Sequence, residues 1–249
     1  DTDSWSTTLS KCRDVAIRNT KLVGLWRYNA DGIDLCNCQN IRVEDSFLRT
    51  YDDALVVKGI TAEDVPSADL RVRRNTIWCD WGRAMELGAE TRAPEFRNIL
   101  FEDSDVIRTT HIAMDIQHGD RAKISNVTFK NIRVEFDDVI PTAVYQQSDD
   151  QVYDPNATPG YCPQLAVIVI QSTYYTQDGA NGNVDGVLFE DINVFGSRQP
   201  AISLTGLDKD HDVRNVVFRN VTVGGRTVKA DNNVVPIRMN EHCHEVSFF

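Results

Sequence analysis

The sequence has 249 residues, of which 37 are acidic and 26 are lysine or arginine, so its formal net charge is −11. Phosphate binding needs clustered lysine and arginine, and this acidic chain has no basic run, so we expect no nucleic-acid partner. No apolar stretch approaches the roughly 20 residues that cross a bilayer, so we expect no membrane partner.

A short repeat recurs along the chain. Each copy starts with Asn, Asp or Gly, continues as an alternating strand, and reaches a second Asn or Asp five residues later. The copies are 14–19, 40–45, 98–103, 126–131, 186–191 and 215–220, with a looser copy at 68–72. A fixed period of this kind is typical of solenoids. The second Asn or Asp suits a left-handed corner made by a single residue.

Further short strands accompany these copies and predict about three strands per coil. They are 32–35, 54–57, 84–87, 113–116, 167–170, 201–204 and 236–239. Their period of two buries one side of each strand. We therefore predict an all-β fold, a right-handed parallel β-helix that forms a single domain over residues 1–249. A leucine-rich repeat would need a Leu-rich unit with one strand, and a β-sandwich would not show the long period.

Residues 134–164 break the repeat and predict an inserted loop that leaves the side of the helix. The first residues already read as a coil, and the chain stops in what reads as a strand. Because terminal repeats of solenoids normally carry a cap, we expect a longer protein whose N-terminal coils or cap are missing from this sequence.

Three aspartates stand at matching places in neighbouring coils. Asp31 directly precedes the strand 32–35, and Asp52 and Asp53 directly precede the strand 54–57. In stacked coils these positions lie side by side, so we expect three carboxyl groups to meet on one face. Repulsion between them should raise one apparent pKa and keep an acid protonated near neutrality. The alternative is that they are ordinary turn residues, which Asp favours.

The segment 29–34, Asn-Ala-Asp-Gly-Ile-Asp, followed by the Asp-Asp pair before an apolar strand, resembles the signature of the polygalacturonases of glycoside hydrolase family 28. Related β-helical dextranases and α-1,3-glucanases share it. The resemblance implies an inverting hydrolase of α-glycosidic bonds in a poly- or oligosaccharide, with Asp52 as general acid and Asp31 and Asp53 as the carboxylates that activate water. We expect no cofactor, no catalytic metal, and a secreted, periplasmic or cell-surface protein.

The chain departs from the family pattern at two places. The Gly-His-Gly of polygalacturonases is replaced by Asp-Trp-Gly-Arg at 80–83, and their Arg-x-Lys falls on Asp115-Ile-Gln. An acid in place of the carboxylate-binding fork would repel a uronate unless Arg83 or Lys58 supplied the charge. We therefore expect a neutral or differently decorated glycan, with a polygalacturonase-type pectin hydrolase as the alternative.

A polar strip beside the three carboxylates is expected to bind the sugar. Its members are Lys58, Glu86, Asp115 and Gln117, and the further candidates for substrate binding are Asn29, Asp34, Trp81, Arg83 and His118. An aromatic face made from Trp26, Tyr28, Trp78 and Trp81 could stack on a sugar ring, and His111 or His118 could replace the missing family histidine. Two other classes stay open: a β-helical polysaccharide lyase with Arg83 as proton abstractor, and a non-catalytic glycan-binding β-helix.

Overall fold

The computed structural model describes residues 4–25, 27–60, 64–136, 162–173, 180–231 and 233–249, together with 150, 152, 154, 156 and 157. The β-strand is the regular secondary structure of these residues, and turns and bends connect the strands. The strands are β1 (Thr7–Ser10), β2 (Arg13–Arg18), β3 (Lys21–Leu22), β4 (Ile33–Cys36), β5 (Gln39–Glu44), β6 (Phe47–Thr50), β7 (Leu55–Gly59), β8 (Ser67–Arg73), β9 (Thr76–Cys79), β10 (Arg83–Thr91), β11 (Glu95–Thr109), β12 (Ile112–His118), β13 (Lys123–Glu135), β14 (Gln164–Ile170), β15 (Val184–Phe195), β16 (Ala201–Thr205), β17 (Val213–Val223), β18 (Arg226–Thr227), β19 (Ile237–Met239) and β20 (Cys243–Phe248). Nowhere in these ranges is there a helix that could cross a membrane.

The strands stack in parallel from coil to coil, which is the right-handed parallel β-helix that the repeat predicted. One sheet runs β1-β4-β7-β10-β12-β14-β16-β19. A second runs β2-β5-β8-β11-β13-β15-β17, and β18 joins its end as an antiparallel neighbour. A third contains β3, β6 and β9 and continues onto the second half of β11. In β11, β13, β15 and β17 the second and third strands of a coil merge into one long strand.

Left-handed residues make the corners within the coils, as predicted. The residues five positions into the copies all have φ between 49° and 56°; they are Asn19, Asp45, Asp103, Asn131, Asp191 and Asn220. Asn and Asp are the side chains that best tolerate this conformation. Their side chains also bond from coil to coil, as when Asn131 Nδ2 donates to Asp103 Oδ1 at 2.7 Å. The same residue type therefore sets both the bend and the stacking.

A column of phenylalanines fills the interior of the later coils. Phe101, Phe129, Phe189, Phe218 and Phe248 stack with ring centroids 5.0, 5.1, 4.6 and 4.6 Å apart. They stack because the strands pair in register at these positions. Aromatic rings bury a large apolar area each, so the column is a main source of stability for this part of the helix.

The first sheet presents a row of residues on its outer side. Asp34, Val56, Glu86 and Asp115 are neighbours across β4, β7, β10 and β12, while the alternate residues of these strands point into the core. Between β13 and β14 lies most of the inserted loop predicted at 134–164, which falls largely outside the described residues. The single-domain and longer-protein expectations stay predictions.

Candidate active site

Asp31, Asp52 and Asp53 meet where β4 and β7 begin, as the coil spacing predicted. One carboxyl oxygen of each lies within 4.8 Å of those of the others, and all three residues are buried. The coils are tied together at this point, because the N–H of Gly32 donates to the backbone oxygen of Asp53 at 2.8 Å. The carboxyl groups are therefore brought together by the stacking itself.

Asp52 is held by two backbone donors. The N–H of Asn29 donates to Oδ2 at 2.8 Å, and the N–H of Asp53 donates to Oδ1 at 3.0 Å. Burial, followed by the negative charge of Asp53, raises the pKa of Asp52 to about 7. A carboxyl group with such a pKa keeps its proton close to neutral pH, which is what a general acid requires. Asn29, predicted to bind substrate, has an exposed side chain and contributes its backbone here.

Asp53 is the ionised member of the cluster. The backbone N–H of Arg83 donates to its Oδ1 at 2.9 Å, and Arg83 Nη1 and Lys58 Nζ lie 3.7 and 3.9 Å from its carboxyl oxygens. Although burial alone would raise the pKa of Asp53, these two cations hold it below the usual value. Asp52 and Asp53 are thus adjacent in sequence but have opposite protonation preferences, a pattern typical of paired acid and base groups.

Lys58 supplies positive charge beside Asp31. Its Nζ lies 3.7 Å from Asp31 Oδ2, donates to Glu90 Oε2 at 3.2 Å, and lies 4.7 Å from the centre of the Trp5 ring. Burial and the charge of Asp53 raise the pKa of Asp31 to about 10. Sequence reasoning missed Glu90 and Trp5, because both reach the cluster only through the fold.

The carboxyl oxygens of Asp31, Asp52 and Asp53 are close enough together to hold a cation. The Lys58 ammonium group lies within 4 Å of a carboxyl oxygen of Asp31 and of one of Asp53. A positive charge of the protein itself therefore already offsets negative charge of the cluster. A bound divalent cation would also have to tolerate this ammonium group. The absence of a catalytic metal stays a prediction.

The outer row of the first sheet forms a buried acidic strip. Asp34, Glu86 and Asp115 are each at most 1% exposed. Burial raises the pKa of Asp34 and of Asp115 to about 7 and that of Glu86 well above its usual value. Arg83 Nε lies 3.4 Å from Asp115 Oδ2, and Gln117 continues the outer face of β12 with a partly exposed side chain. The predicted strip exists, but most of it is buried rather than solvated.

Gly82 allows the next coil to pass close to Asp52. A Cβ atom at this position would lie 2.5 Å from the backbone carbon of Asp52 and 2.7 Å from its Oδ1. The N–H groups of Trp81 and Gly82 both donate to the backbone oxygen of Tyr51, at 2.8 and 2.9 Å. Only glycine fits against the carboxyl cluster here.

An aromatic group borders the cluster. The ring of Trp81 lies 4.4 Å from that of Tyr28 and stacks at 5.8 Å on that of Tyr51. Trp78 belongs to a different group, because its Nε1 donates to Asp80 Oδ1 at 2.8 Å and its ring contacts Arg49. Trp26 lies outside the described residues. Trp81 and Tyr28 therefore stay candidates for stacking on a sugar.

His118 does not lie on the outer face of β12, and its role in substrate binding stays a prediction. Outward residues of β12 are Asp115 and Gln117, so the alternation turns His118 into the fold, where it is fully buried and its Nδ1 bonds Thr91 Oγ1 at 2.8 Å. His111 lies nearer the carboxyl cluster: burial, and then the charge of Arg83, lower its pKa to about 4. His111 is one of the two candidates to replace the missing family histidine, and that role stays a prediction.

The comparisons with known proteins agree with this architecture. The model of the family "Glycosyl hydrolases family 28" matches residues 1–158. A probable exopolygalacturonase C of Aspergillus terreus is 35% identical over 141 residues, which cover 55% of this chain and 31% of that protein. A probable polygalacturonase of Vitis vinifera is 28% identical over 169 residues, covering 63% of this chain and 33% of that protein.

A solved structure shares the fold. It is a hyperthermoactive exopolygalacturonase from Thermotoga maritima, with a TM-score of 0.56 and 15% identity over 98% of this chain and 50% of that one. The chain thus spans about a third of the length of these two curated relatives and half of the solved chain.

Proposed function

This chain belongs to glycosyl hydrolases family 28, and we propose that it carries the catalytic centre of a polygalacturonase-type hydrolase that cleaves α-glycosidic bonds in a pectic polysaccharide. The observation that carries the proposal is the cluster of Asp31, Asp52 and Asp53, in which neighbouring carboxyl groups have opposite protonation preferences. Relatives named as exopolygalacturonase and polygalacturonase support the pectic substrate. The expected neutral glycan has less support.

Positive charge beside the strip removes the main objection to a uronate substrate, which was repulsion by Asp115. Asp115 stands where the family has a cation, but Arg83 lies 3.4 Å from it, and Lys58 lies on β7, one coil before that of Arg83. Both cations lie within 4 Å of Asp53 in the carboxyl cluster. A negatively charged sugar would therefore meet positive charge as well as acids.

The proposed reaction divides the work between the carboxyl groups. Asp52 donates its proton to the glycosidic oxygen as the bond to the leaving sugar breaks, and Asp53, which is ionised, removes a proton from the attacking water. Asp31 holds a proton next to Asp53 and orients that water. The aromatic group of Trp81 and Tyr28, with Asn29, Asp34, Lys58, Arg83, Glu86, Asp115 and Gln117, is proposed to bind the sugars.

Inversion of the anomeric centre rests on the family resemblance and not on spacing. Inverting enzymes usually separate their two carboxyl groups by about 6.5–9.5 Å, whereas the nearest oxygens here lie within 4.8 Å. Proton NMR of the first product released distinguishes the two outcomes, because inversion gives the anomer opposite to the substrate. A product with retained configuration would assign Asp53 or Asp31 as a nucleophile instead.

The test of the function uses the full-length protein with chelator present. Polygalacturonate, its methyl ester and neutral α-glucans are compared for released reducing sugar with wild type, Asp52→Asn, and the exposed control Asp210→Asn. We expect release from the pectic substrates by wild type and the control but not by Asp52→Asn. Equal release by Asp52→Asn would refute its role, an unsaturated product would indicate a lyase, and binding without release would indicate a glycan-binding module.

A pectic polysaccharide lies outside the cell that degrades it, so we also propose a secreted, periplasmic or cell-surface location. Detection of the protein in the cytoplasm only would contradict this part of the proposal.

A further inference from the structure

We propose that Arg83 recognises the carboxylate of a uronate in the subsite next to the scissile bond, and that Asp115 competes with the substrate for this guanidinium group. The inference deepens the proposed function and rests on it. In the family, the Arg-x-Lys motif provides this carboxylate recognition. In this chain the role passes to Arg83, which lies on a different strand.

Among the residues that the structure describes, Lys58 and Arg83 are the cations that contact the carboxyl cluster, and their surroundings differ. Lys58 contacts acids and an aromatic ring: its Nζ donates to Glu90, lies within 4 Å of Asp31 and Asp53, and packs on the ring of Trp5. Its side chain is 6% exposed. Its ammonium group supplies positive charge to the site, but it lacks the planar fork that matches a carboxylate.

Arg83 has donors to spare. Its guanidinium group makes ion pairs at 3.7 Å with Asp53 and at 3.4 Å with Asp115, both too long for strong hydrogen bonds. Nε is buried and makes no hydrogen bond to any described residue, while 18% of the side chain is exposed. A guanidinium group offers two parallel N–H donors, which match the two oxygens of a carboxylate.

The position of Arg83 fixes which sugar it can reach. Its backbone oxygen accepts from the N–H of Ala54 at 2.8 Å, so it sits on the coil directly next to Asp52 and Asp53. Because Nη1 lies 3.7 Å from Asp53, a carboxylate bound by the fork belongs to a sugar unit in contact with the cluster. Binding energy at this site is thus available close to the reacting bond.

Asp115 is the internal competitor. Both of its carboxyl oxygens are buried and make no hydrogen bond within the described ranges, and its ion pair is with Arg83. The charged groups facing it are Arg83 and Glu86 on β10 and Asp53 beyond them, whereas its neighbour on β14 is the uncharged Val167. Among the described residues Asp115 therefore pairs with Arg83 alone, the cation that a uronate would use.

This competition makes uronate binding depend on pH. Burial raises the pKa of Asp115 to about 7, so below that pH it takes up a proton, loosens its hold on Arg83 and no longer repels a carboxylate. Above that pH its negative charge is restored. The KM for a uronate substrate should rise as the pH passes about 7, while the KM for the uncharged methyl ester should stay flat.

The experiment compares oligogalacturonate with its methyl ester, in the full-length protein, at several pH values. The variants are Arg83→Gln, Asp115→Asn, and Arg42→Gln as a matched control on the exposed face of β5. We expect Arg83→Gln to raise KM for the acid by about 10- to 100-fold and to leave KM for the ester nearly unchanged. Asp115→Asn should lower KM for the acid and remove its rise with pH.

Other outcomes overturn the inference. Equal changes of KM for acid and ester in Arg83→Gln would mean that Arg83 only holds Asp53, and equal effects of Arg42→Gln would mean non-specific attraction. If Arg83→Gln does not fold, Arg83→Lys keeps the charge without the fork and should raise the acid KM less. If wild type cleaves neither compound, the proposed function fails, and calorimetric titration with oligogalacturonate still tests Arg83: affinity unaffected by its substitution, or none at all, refutes the inference.

Discussion

The sharpest test of how the cluster is positioned is the addition of one methyl group, in Gly82→Ala. The new Cβ would lie 2.5 Å from the backbone carbon of Asp52, which is 0.9 Å short of the 3.4 Å where ordinary contact begins, and 2.6 Å from the N of Asp53. The atoms in the way are mostly backbone, so the coil carrying the two aspartates must shift. A misplacement of about 1 Å in a catalytic group costs about 10²-fold in rate.

We therefore expect Gly82→Ala to lower kcat about 10²-fold on a pectic substrate, with a stability loss of about 1–3 kcal/mol from overpacking. Reducing-sugar release and urea unfolding measure the two effects. The matched control is Gly206→Ala in a later coil, where the Cβ would meet the backbone oxygen of His242 at 2.5 Å: it should lose similar stability but keep its kcat. Full activity in Gly82→Ala with native stability, or equal kcat losses in both variants, would refute the reasoning.

Three further predictions concern pH and stability. Because Asp52 must be protonated and its pKa is raised to about 7, kcat should fall as the pH rises through about 7, and a kcat that is still rising at pH 8 would contradict its role as acid. Folding raises the pKa of Asp34 from 3.8 to about 7, so the native state holds this proton to a higher pH and stability is lost as the pH rises between these values. Asp34→Asn should remove up to about 4 kcal/mol of that loss, measured by urea unfolding at pH 4 and pH 8. An unchanged pH dependence of stability in this variant would contradict the prediction. Phe189→Ala should cost about 3–5 kcal/mol by opening a cavity in the phenylalanine column, while the half-exposed Phe195→Ala should cost little; similar melting temperatures for the two variants would contradict the column's importance.

The corners and the alignment of the acids were readable from the sequence, because both follow from a local rule repeated at a fixed period. Asn131 and Asp191 adopt the left-handed conformation that their place in the repeat predicted. Asp31 and Asp53 precede equivalent strands, so any parallel stacking of the coils had to bring them together. The period also located every strand of the first sheet from β4 onward.

The tertiary structure alone decided which carboxyl groups of the site hold a proton and which hydrogen-bond donors are available to a substrate. Whether an acid is a proton donor or a base depends on burial and on nearby charges, as with Lys58 of the same coil and Arg83 of the next coil, which both lie within 4 Å of Asp53. The same holds for His118, because strand register decides which way its side chain points. It also holds for Gly82, because another coil leaves no room for a Cβ atom at this position. A sequence lists these residues at fixed separations along the chain, whereas their chemistry depends on distances of 3–4 Å that exist only once the coils are stacked.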